Sequence, residues 1–456
     1  MLTRLTISNF KSWQSADLEF GRITAIFGAN SSGKTSLLQF PLLLKQTKDA
    51  TDRHTVLNFG APDQLVDRGT CQDVVFRHAQ DQIISWDLRW RQDDPVKLPD
   101  PEGKKTDFIA EGHDLSIQAS ASIRKTELAC RSLSYALEDA RFSLTPKLKE
   151  GKGFQLEVSG LSGFRATRTT GRAWDLPGPI KCYAFPDQAR TYFQNTGFLS
   201  LLEREYERQM DQIFYLGPLR EYPKRDYYWS KTRPSDVGWR GERTIEAILA
   251  ATTSGEKQNL KPRSPRRNFQ EIIAHWLRDM KLISDFSMAE IGTASNRWQA
   301  KVRVSPESPE VLLTDVGFGV SQVLPVLTLM HYVPQGSTII LEQPEIHLHP
   351  FAQAGLADVI LSVSKHRGIQ FVIESHSEHF LQRIQRRISE EYIANTDVKL
   401  YFIGTEDGKS RQTNLNIDLF GTILNWPKNF FGDLFGDVAA AEKARVQRQI
   451  KAIKSA

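Results

Sequence analysis

Eight consecutive residues, Gly28, Ala29, Asn30, Ser31, Ser32, Gly33, Lys34 and Thr35, fill the spacing G-x-x-x-x-G-K-[ST]. Small side chains at these places let successive backbone N–H groups converge on a β-phosphate. A helix opening at Gly33 turns its positive end toward the same anion. Lys34 has the charge and reach for the β- and γ-phosphates, and the Thr35 hydroxyl suits one position on Mg2+. With Ser36 on the first helical turn, these residues make a cradle for ATP and Mg2+.

Further chemistry lies toward the C-terminal end. The apolar run Ser337–Leu341 ends in Glu342, an arrangement that holds the water shell of Mg2+ in nucleotide hydrolysis, so Glu342 joins Thr35 as an expected metal residue. Gln343 and Glu345 follow at once. His347 and His349 have the look of a metal pair, but no further ligand set with suitable spacing accompanies them, and packing in a loop is the better reading. Gly319, Ser321 and Gln322 place small residues and a hydroxyl where a helix begins, which again suits a phosphate. His376 stands just after the apolar segment Ile369–Ile373.

These residues need a framework, and periodicity supplies one of the α/β class. Leu2–Asn9 and Ala16–Phe20 alternate like a hairpin that leads into the phosphate-loop strand. Asp73–Phe76, Ile83–Trp90, Leu115–Ile123, Leu128–Leu137, Arg141–Leu148 and Phe154–Val158 read as an antiparallel lobe, with turns such as Gln92–Pro95 between them. Phe198–Tyr215 and Asn268–Leu282 have helical spacing. Beyond them, Val316–Val333, Ser337–Leu341, Phe351–Val363, Ile369–Ile373, Glu378–Ile388 and Val398–Ile403 alternate helix and strand, as in a parallel sheet covered by helices. The expected organisation is an N-terminal ATPase lobe over 1–71, a β-lobe over 72–190, a helical insertion over 191–295, a C-terminal ATPase lobe over 296–405 and an extension with a basic helix over 406–456.

Composition narrows the setting. A chain of 456 residues divides into two or three subdomains, and a formal charge of +5 is small for that size, so any affinity for nucleic acid must be local. Cys71, Cys130 and Cys182 are too scattered for a zinc site or a disulfide framework, and no apolar run spans a bilayer. A reducing cytoplasm and no membrane are the expectation. Three basic clusters, Lys261/Arg263/Arg266/Arg267, Arg383/Arg386/Arg387 and Lys443/Arg445/Arg448/Lys451/Lys454, are either solvated faces or phosphate-backbone contacts.

Several stretches also carry a resemblance. The run I-x-N-F-K-S at Ile7–Ser12, followed by a loop with Asn30 in third place, resembles the start of the RecF/SMC/OLD branch of ABC-type ATPases. Glu342–Pro350 is similar to the E-E-P-E-x-H-L-H-P stretch of OLD-type members, and Gly319–Gln322 to a divergent ABC signature. The resemblance implies an ABC-type head with a parallel-sheet nucleotide core, an antiparallel β-lobe and a helical insertion. It implies that His376 is a switch histidine on the γ-phosphate. It also implies that the signature meets the γ-phosphate held by another subunit, so that ATP sandwiched between heads makes a homodimer or a higher homo-oligomer. One departure stands out: Gln343 occupies the place of the glutamate that polarises the attacking water, and a glutamine orients water without accepting its proton. Either Glu345 substitutes, or hydrolysis is slow and the ATP-bound state long-lived.

Tyr215–Arg220 and Trp426-Pro427 look like a bacterial subfamily of standalone ABC-type ATPases that includes antiphage-defence ATPases of the Septu, PARIS and retron kinds. That implies a nucleotide-switched sensor or scaffold controlling a separate effector, a nuclease or TOPRIM-like protein. The alternative is a RecF/SMC-like DNA-repair or DNA-transaction ATPase, with nucleic acid as partner. A transporter subunit fits worst, because the long insertion between phosphate loop and signature leaves no compact transporter domain. No sustained heptads run through 191–282, so the long coiled-coil arm of SMC proteins is not expected. The segment after His376 is too short for an appended nuclease and has no D-x-D pair.

Overall fold

The computed structural model describes residues 1–78, 83–104, 106–124, 127–147, 153–161, 163–171, 174–292, 295–427 and 443–445. A six-stranded sheet forms its centre, in the order Lys409–Leu415, Val398–Glu406, Ile23–Gly28, Gln370–Glu374, Thr338–Glu342 and Ile213–Leu216. All neighbours pair in parallel except Lys409–Leu415, an antiparallel edge. Parallel strands are covered on both faces, and Thr338 to Glu342 and Gln370 to Glu374 are buried at every position. Alternation then divides the packing between two cores: Ile23, Ala25 and Phe27 enter one, while Ile26, Ile340 and Val372 enter the other.

The first core is filled by the helices Thr244–Thr253, Phe269–Asp279, Phe318–Tyr332 and Pro350–Arg367. The second lies against a seven-stranded antiparallel sheet, in the order Trp13–Glu19, Leu2–Phe10, Ile83–Pro99, Phe108–Arg124, Glu127–Leu137, Ala140–Pro146 and Phe154–Ser159. In Ile83–Pro99 the residues Ile84, Trp86, Leu88 and Trp90 are buried and their neighbours less so, the pattern of a half-covered strand. The N-terminal hairpin belongs to this sheet, because Leu2–Phe10 pairs with both Trp13–Glu19 and Ile83–Pro99. A smaller sheet joins Tyr227–Tyr228, Arg297–Arg303, Asp285–Glu290 and Val311–Leu312. Among the described residues no helix is long and apolar enough to cross a membrane.

Three local expectations are corrected. Cys71–Val74 is a helical turn and not the start of a strand, because Asp73 accepts the Thr70 N–H at 2.8 Å in a capping box that closes the turn. Gln92–Pro95 is no turn: the strand continues to Pro99, and the extra residues are absorbed by a register shift between Arg91 and Val96. Phe198–Tyr215 splits into a helix, Leu199–Asp211, and a strand, Ile213–Leu216. The continuous apolar run from Ile213 fits a buried parallel strand beside Thr338–Leu341 better than one face of a helix.

Candidate nucleotide site

Strand register decides what meets at the C-terminal edge of the parallel sheet, the edge where such sheets bind ligands. Glu374 pairs with Ile26 on one side and Glu342 on the other, so two carboxylates stand next to the strand that feeds the phosphate loop. The chain leaves that strand at Gly28 with φ 144°, where a Cβ would lie 2.1 Å from the Ile403 carbonyl oxygen. Behind the loop, Trp13 Nε1 donates to the Gly33 carbonyl at 3.0 Å and the Ser410 hydroxyl donates to the Ser32 carbonyl at 2.6 Å. The helix Lys34–Leu38 then runs through Gln39 into Phe40–Asp49.

A cavity of about 850 Å³ opens over this loop. Its wall includes Asn30, Ser31, Ser32, Gly33, Lys34, Thr35 and Ser36, together with Gln343, Glu374 and His376, and cations from Lys11, Arg68 and Arg77. Lys34 Nζ donates to the carbonyls of Gly28 at 3.1 Å and Ala29 at 2.7 Å and lies 3.8 Å from Glu374 Oε1. Burial lowers the pKa of Lys34, and the Glu374 charge opposes that shift. Burial likewise lowers the pKa of His376, with Lys34 adding to the shift. The Thr35 hydroxyl donates to Glu374 Oε2 at 3.0 Å. Ser32 Oγ is buried and has no hydrogen-bond partner among the described residues.

These groups fit Mg2+ and ATP. A hydroxyl and a carboxylate converge where a hard cation takes oxygen ligands, with an ammonium and a loop of small residues beside them. Among the described residues no cluster of His, Cys, Asp and Glu is set to hold a metal ion alone, so phosphate oxygens would complete the set. When bound, the metal and nucleotide would supply the electrophilic phosphorus and charge neutralisation for attack by water.

The two expected carboxylates sit elsewhere. Glu342 is 3% exposed and its Oε1 accepts from the Tyr215 hydroxyl at 2.9 Å and from Gln39 Nε2. Burial and the neighbouring Glu374 raise its pKa to about 7. It borders no part of the cavity wall; the carboxylate on Thr35 is Glu374, which motif reading missed because the family pattern draws the eye to His376. Glu345 is also buried, and its Oε1 accepts from the Ser375 hydroxyl at 2.7 Å and the His376 N–H at 2.8 Å, while burial raises its pKa. It anchors the turn that presents His376. Gln343 does reach the cavity, held in a left-handed conformation with φ 45° by an N–H bond to the Glu374 carbonyl at 2.8 Å.

Glu345→Ala should therefore strip a buried hydroxyl and a part-buried N–H of their acceptor, the first at about 1–3 kcal/mol and the second at less. Thermal unfolding followed by circular dichroism should show a clear fall in melting temperature, and a much smaller one for Glu345→Gln, which keeps an oxygen in place. An unchanged melting temperature in Glu345→Ala would refute the anchoring role.

Gly319, Ser321 and Gln322 do not join the cavity of their own chain. Ser321 Oγ donates to the Phe318 carbonyl at 2.8 Å, and Gln322 is buried. What connects this helix to the site is Arg220, the last residue of the Tyr215–Arg220 stretch, whose resemblance gave it no role. Its guanidinium, buried with its side chain, donates to the carbonyls of Gln322 at 3.1 Å, Glu342 at 3.3 Å and Gln343 at 3.2 Å. His347 packs its ring on Phe318 at 5.0 Å, and His349 Nδ1 accepts from the Phe351 N–H at the start of Pro350–Arg367.

Family comparisons match separate stretches of the chain. Residues 4–129 match a model described as an AAA domain, and residues 196–382 match one described as AAA domain, putative AbiEii toxin, Type IV TA system. Residues 393–440 match a protein of unknown function, DUF3696. No curated protein matches the chain. Among solved structures, an SMC head domain from Thermotoga maritima is 12% identical with a TM-score of 0.41, over 91% of this chain and 99% of that one. An SmcHead bound to the C-winged helix domain of ScpA is 12% identical with a TM-score of 0.44, over 92% and 98%. An Smc head with an extended coiled coil, bound to the C-terminal domain of ScpA derived from Pyrococcus furiosus, is 11% identical with a TM-score of 0.42, over 91% and 96%. At such TM-scores these likenesses carry no argument. With its phosphate loop inside one matched stretch and Glu342, Glu374 and His376 inside the other, the candidate site is assembled from two stretches that each match an AAA domain.

Proposed function

We propose that this ATPase works as a nucleotide-driven switch: ATP and Mg2+ are held at the phosphate loop, two copies close over the nucleotide, and hydrolysis lets them part. The observation that carries this reading is the division of the site. Lys34, Thr35, Gln343, Glu374 and His376 border one cavity, while Gly319, Ser321 and Gln322 lie outside it on the same chain. A second copy would bring its own signature helix to the γ-phosphate. Within each copy Arg220 links that helix to Glu342 and Gln343, so docking at one end bears on the residues around the reacting water. Gln343 would orient the water, and His376 would face the γ-phosphate. Sedimentation velocity with and without ATP tests the switch: association only with nucleotide is expected, and an ATP-indifferent monomer would count against it.

The work of the switch we read as a DNA transaction of the RecF/SMC-like kind. Support comes from the first basic cluster. Lys261 and Arg266, beside and on the short hairpin Gln258–Asn259 and Arg266–Arg267, border a cavity of about 540 Å³ with Arg233, Lys257 and Arg367, where Glu256 is the one acidic side chain among the described residues. None of Lys261, Arg263, Arg266 and Arg267 has an ion pair among the described residues. The second cluster is different, since Arg383 and Arg387 are paired with Asp358, and Arg386 with Glu390 at 2.7 Å. Of the third, only 443–445 are described, as exposed helical residues; Arg448, Lys451 and Lys454 lie outside the described residues. Reversing the charges of Lys261, Arg263, Arg266 and Arg267 should weaken duplex binding and flatten its salt slope by about one unit per lost phosphate contact. Wild-type protein with no duplex binding at low salt would retire this reading.

A second reading has its own support in the toxin–antitoxin description of the model matched over 196–382. There the same switch would restrain or release a separate effector, such as a nuclease or TOPRIM-like protein, in defence against phage. Turnover stimulated by DNA alone would favour the first reading, and turnover altered only by a co-purifying effector the second.

A further inference from the structure

We propose that the basic cavity beside the hairpin Gln258–Asn259 and Arg266–Arg267 is a second ligand site, separate from the nucleotide site, that takes a terminal phosphate group carried either by a free mononucleotide or by the end of a nucleic-acid strand. This goes beyond the duplex contact proposed above, which needs only phosphodiesters on an open face. The cavity wall includes Val333, Pro334 and Arg367, which precede the strands Thr338–Glu342 and Gln370–Glu374. It therefore lies at the edge of the parallel sheet opposite to the phosphate loop. With about 540 Å³ it has the volume of a small-molecule site, enough for a mononucleotide and too little for a duplex.

An excess of positive charge points to an anion. Arg233, Lys257, Lys261, Arg266 and Arg367 border the cavity against Glu256. Arg233 lies 3.9 Å from Glu256, and the other four have no ion pair among the described residues. Like charges gathered round a concavity repel one another more than charges spread over an open face. Arg367 is half-buried, and the other four cations are exposed. Its Nη2 donates to the Val333 carbonyl at 2.6 Å and its Nη1 to Gln258 Oε1, while Nε is buried with no hydrogen-bond partner among the described residues. Those bonds hold it where the helices Phe318–Tyr332 and Pro350–Arg367 end, but they give it no counter-charge. Burial lowers its pKa to about 10, and no carboxylate offsets that shift. An arginine that only tied two helix ends together would need no further cations around it. A terminal phosphate supplies what the set lacks, because it carries up to two negative charges and three outward oxygens, where a backbone phosphate carries one charge.

Two titrations of the full chain test the site, both at one fixed low salt concentration and with saturating non-hydrolysable ATP analogue and Mg2+ to occupy the phosphate loop. Fluorescence anisotropy compares a 5′-phosphorylated, 3′-labelled hexathymidylate with its 5′-hydroxyl counterpart, and calorimetry compares thymidine 5′-monophosphate with thymidine. The phosphorylated member of each pair should bind at least about tenfold more tightly. Lys261→Gln/Arg266→Gln, which changes two exposed side chains and so spares the fold, should lose most of that preference, while Arg386→Gln in the paired second cluster should keep it. Preference between the oligomers assigns the end of a strand, and thymidine 5′-monophosphate binding without that preference assigns a free mononucleotide. Absence of both preferences, or a preference unchanged in Lys261→Gln/Arg266→Gln, overturns the inference. Duplex binding that persists beside such a result would leave the DNA reading standing.

Discussion

The Lys34→Ala protein is expected to lose ATP binding by two orders of magnitude or more, and with it any ATP-dependent association. Lys34 is the ammonium that the loop holds directly against the phosphate cavity, and charge-assisted bonds in a buried setting contribute about 1.5–3 kcal/mol each. Its removal also leaves Glu374 buried without its cation, a loss of about 3–5 kcal/mol when one partner of a buried pair is deleted. A fall in melting temperature should therefore accompany the loss of binding, and Lys34→Arg should restore the melting temperature better than the affinity, because a planar guanidinium does not fit a loop shaped for an ammonium. Equilibrium titration with a fluorescent ATP analogue checks the first part. Unchanged affinity would overturn the assignment of the site.

Gln343→Glu is the second large effect, and its direction is a gain. Gln343 lines the cavity with its backbone pinned to the Glu374 carbonyl, and on the proposed reading it stands where a proton acceptor would face the attacking water. With an amide there, water is oriented but its proton has no local acceptor. The wild type should hydrolyse slowly and remain closed on ATP for long periods. A carboxylate at this position would supply a general base, an effect of about 10²–10⁴-fold. Steady-state phosphate release should rise clearly, and the ATP-bound dimer should become shorter-lived by sedimentation. Glu345→Gln should change turnover little, since Glu345 is occupied by Ser375 and His376. Turnover lost in Glu345→Gln and indifferent to Gln343→Glu would mean that Glu345 is the working base after all.

Local patterns in the chain were enough to determine much of this protein. A phosphate loop needs small residues, a lysine and a hydroxyl in one continuous run, so its chemistry is written along eight adjacent positions. The buried strands Thr338–Glu342 and Gln370–Glu374 announce themselves because parallel strands covered on both faces are apolar throughout. The long helices Phe318–Tyr332 and Pro350–Arg367 were legible for the same reason, from length and apolar content. The antiparallel lobe could be read as a series of strands, although the helical turn Cys71–Val74, closed by the Thr70/Asp73 capping box, and the register shift between Arg91 and Val96 departed from that reading.

What only the tertiary structure decided is which side chains share a space. Glu342 and Glu374 are 32 positions apart, yet strand register makes them neighbours, and the fold gives them separate partners, Tyr215 and Gln39 for one, Thr35 and Lys34 for the other. Glu345 looked like a spare base until the fold packed it under Ser375 and His376. Arg220 ends a stretch noted only for its resemblance, and gains its meaning from three carbonyls that come together only when the helix Phe318–Tyr332 and the loop after Glu342 are packed on one sheet. Motifs record residues that must be close along the chain; the division of work among buried charges follows from desolvation and partner geometry, which exist only once distant segments have met.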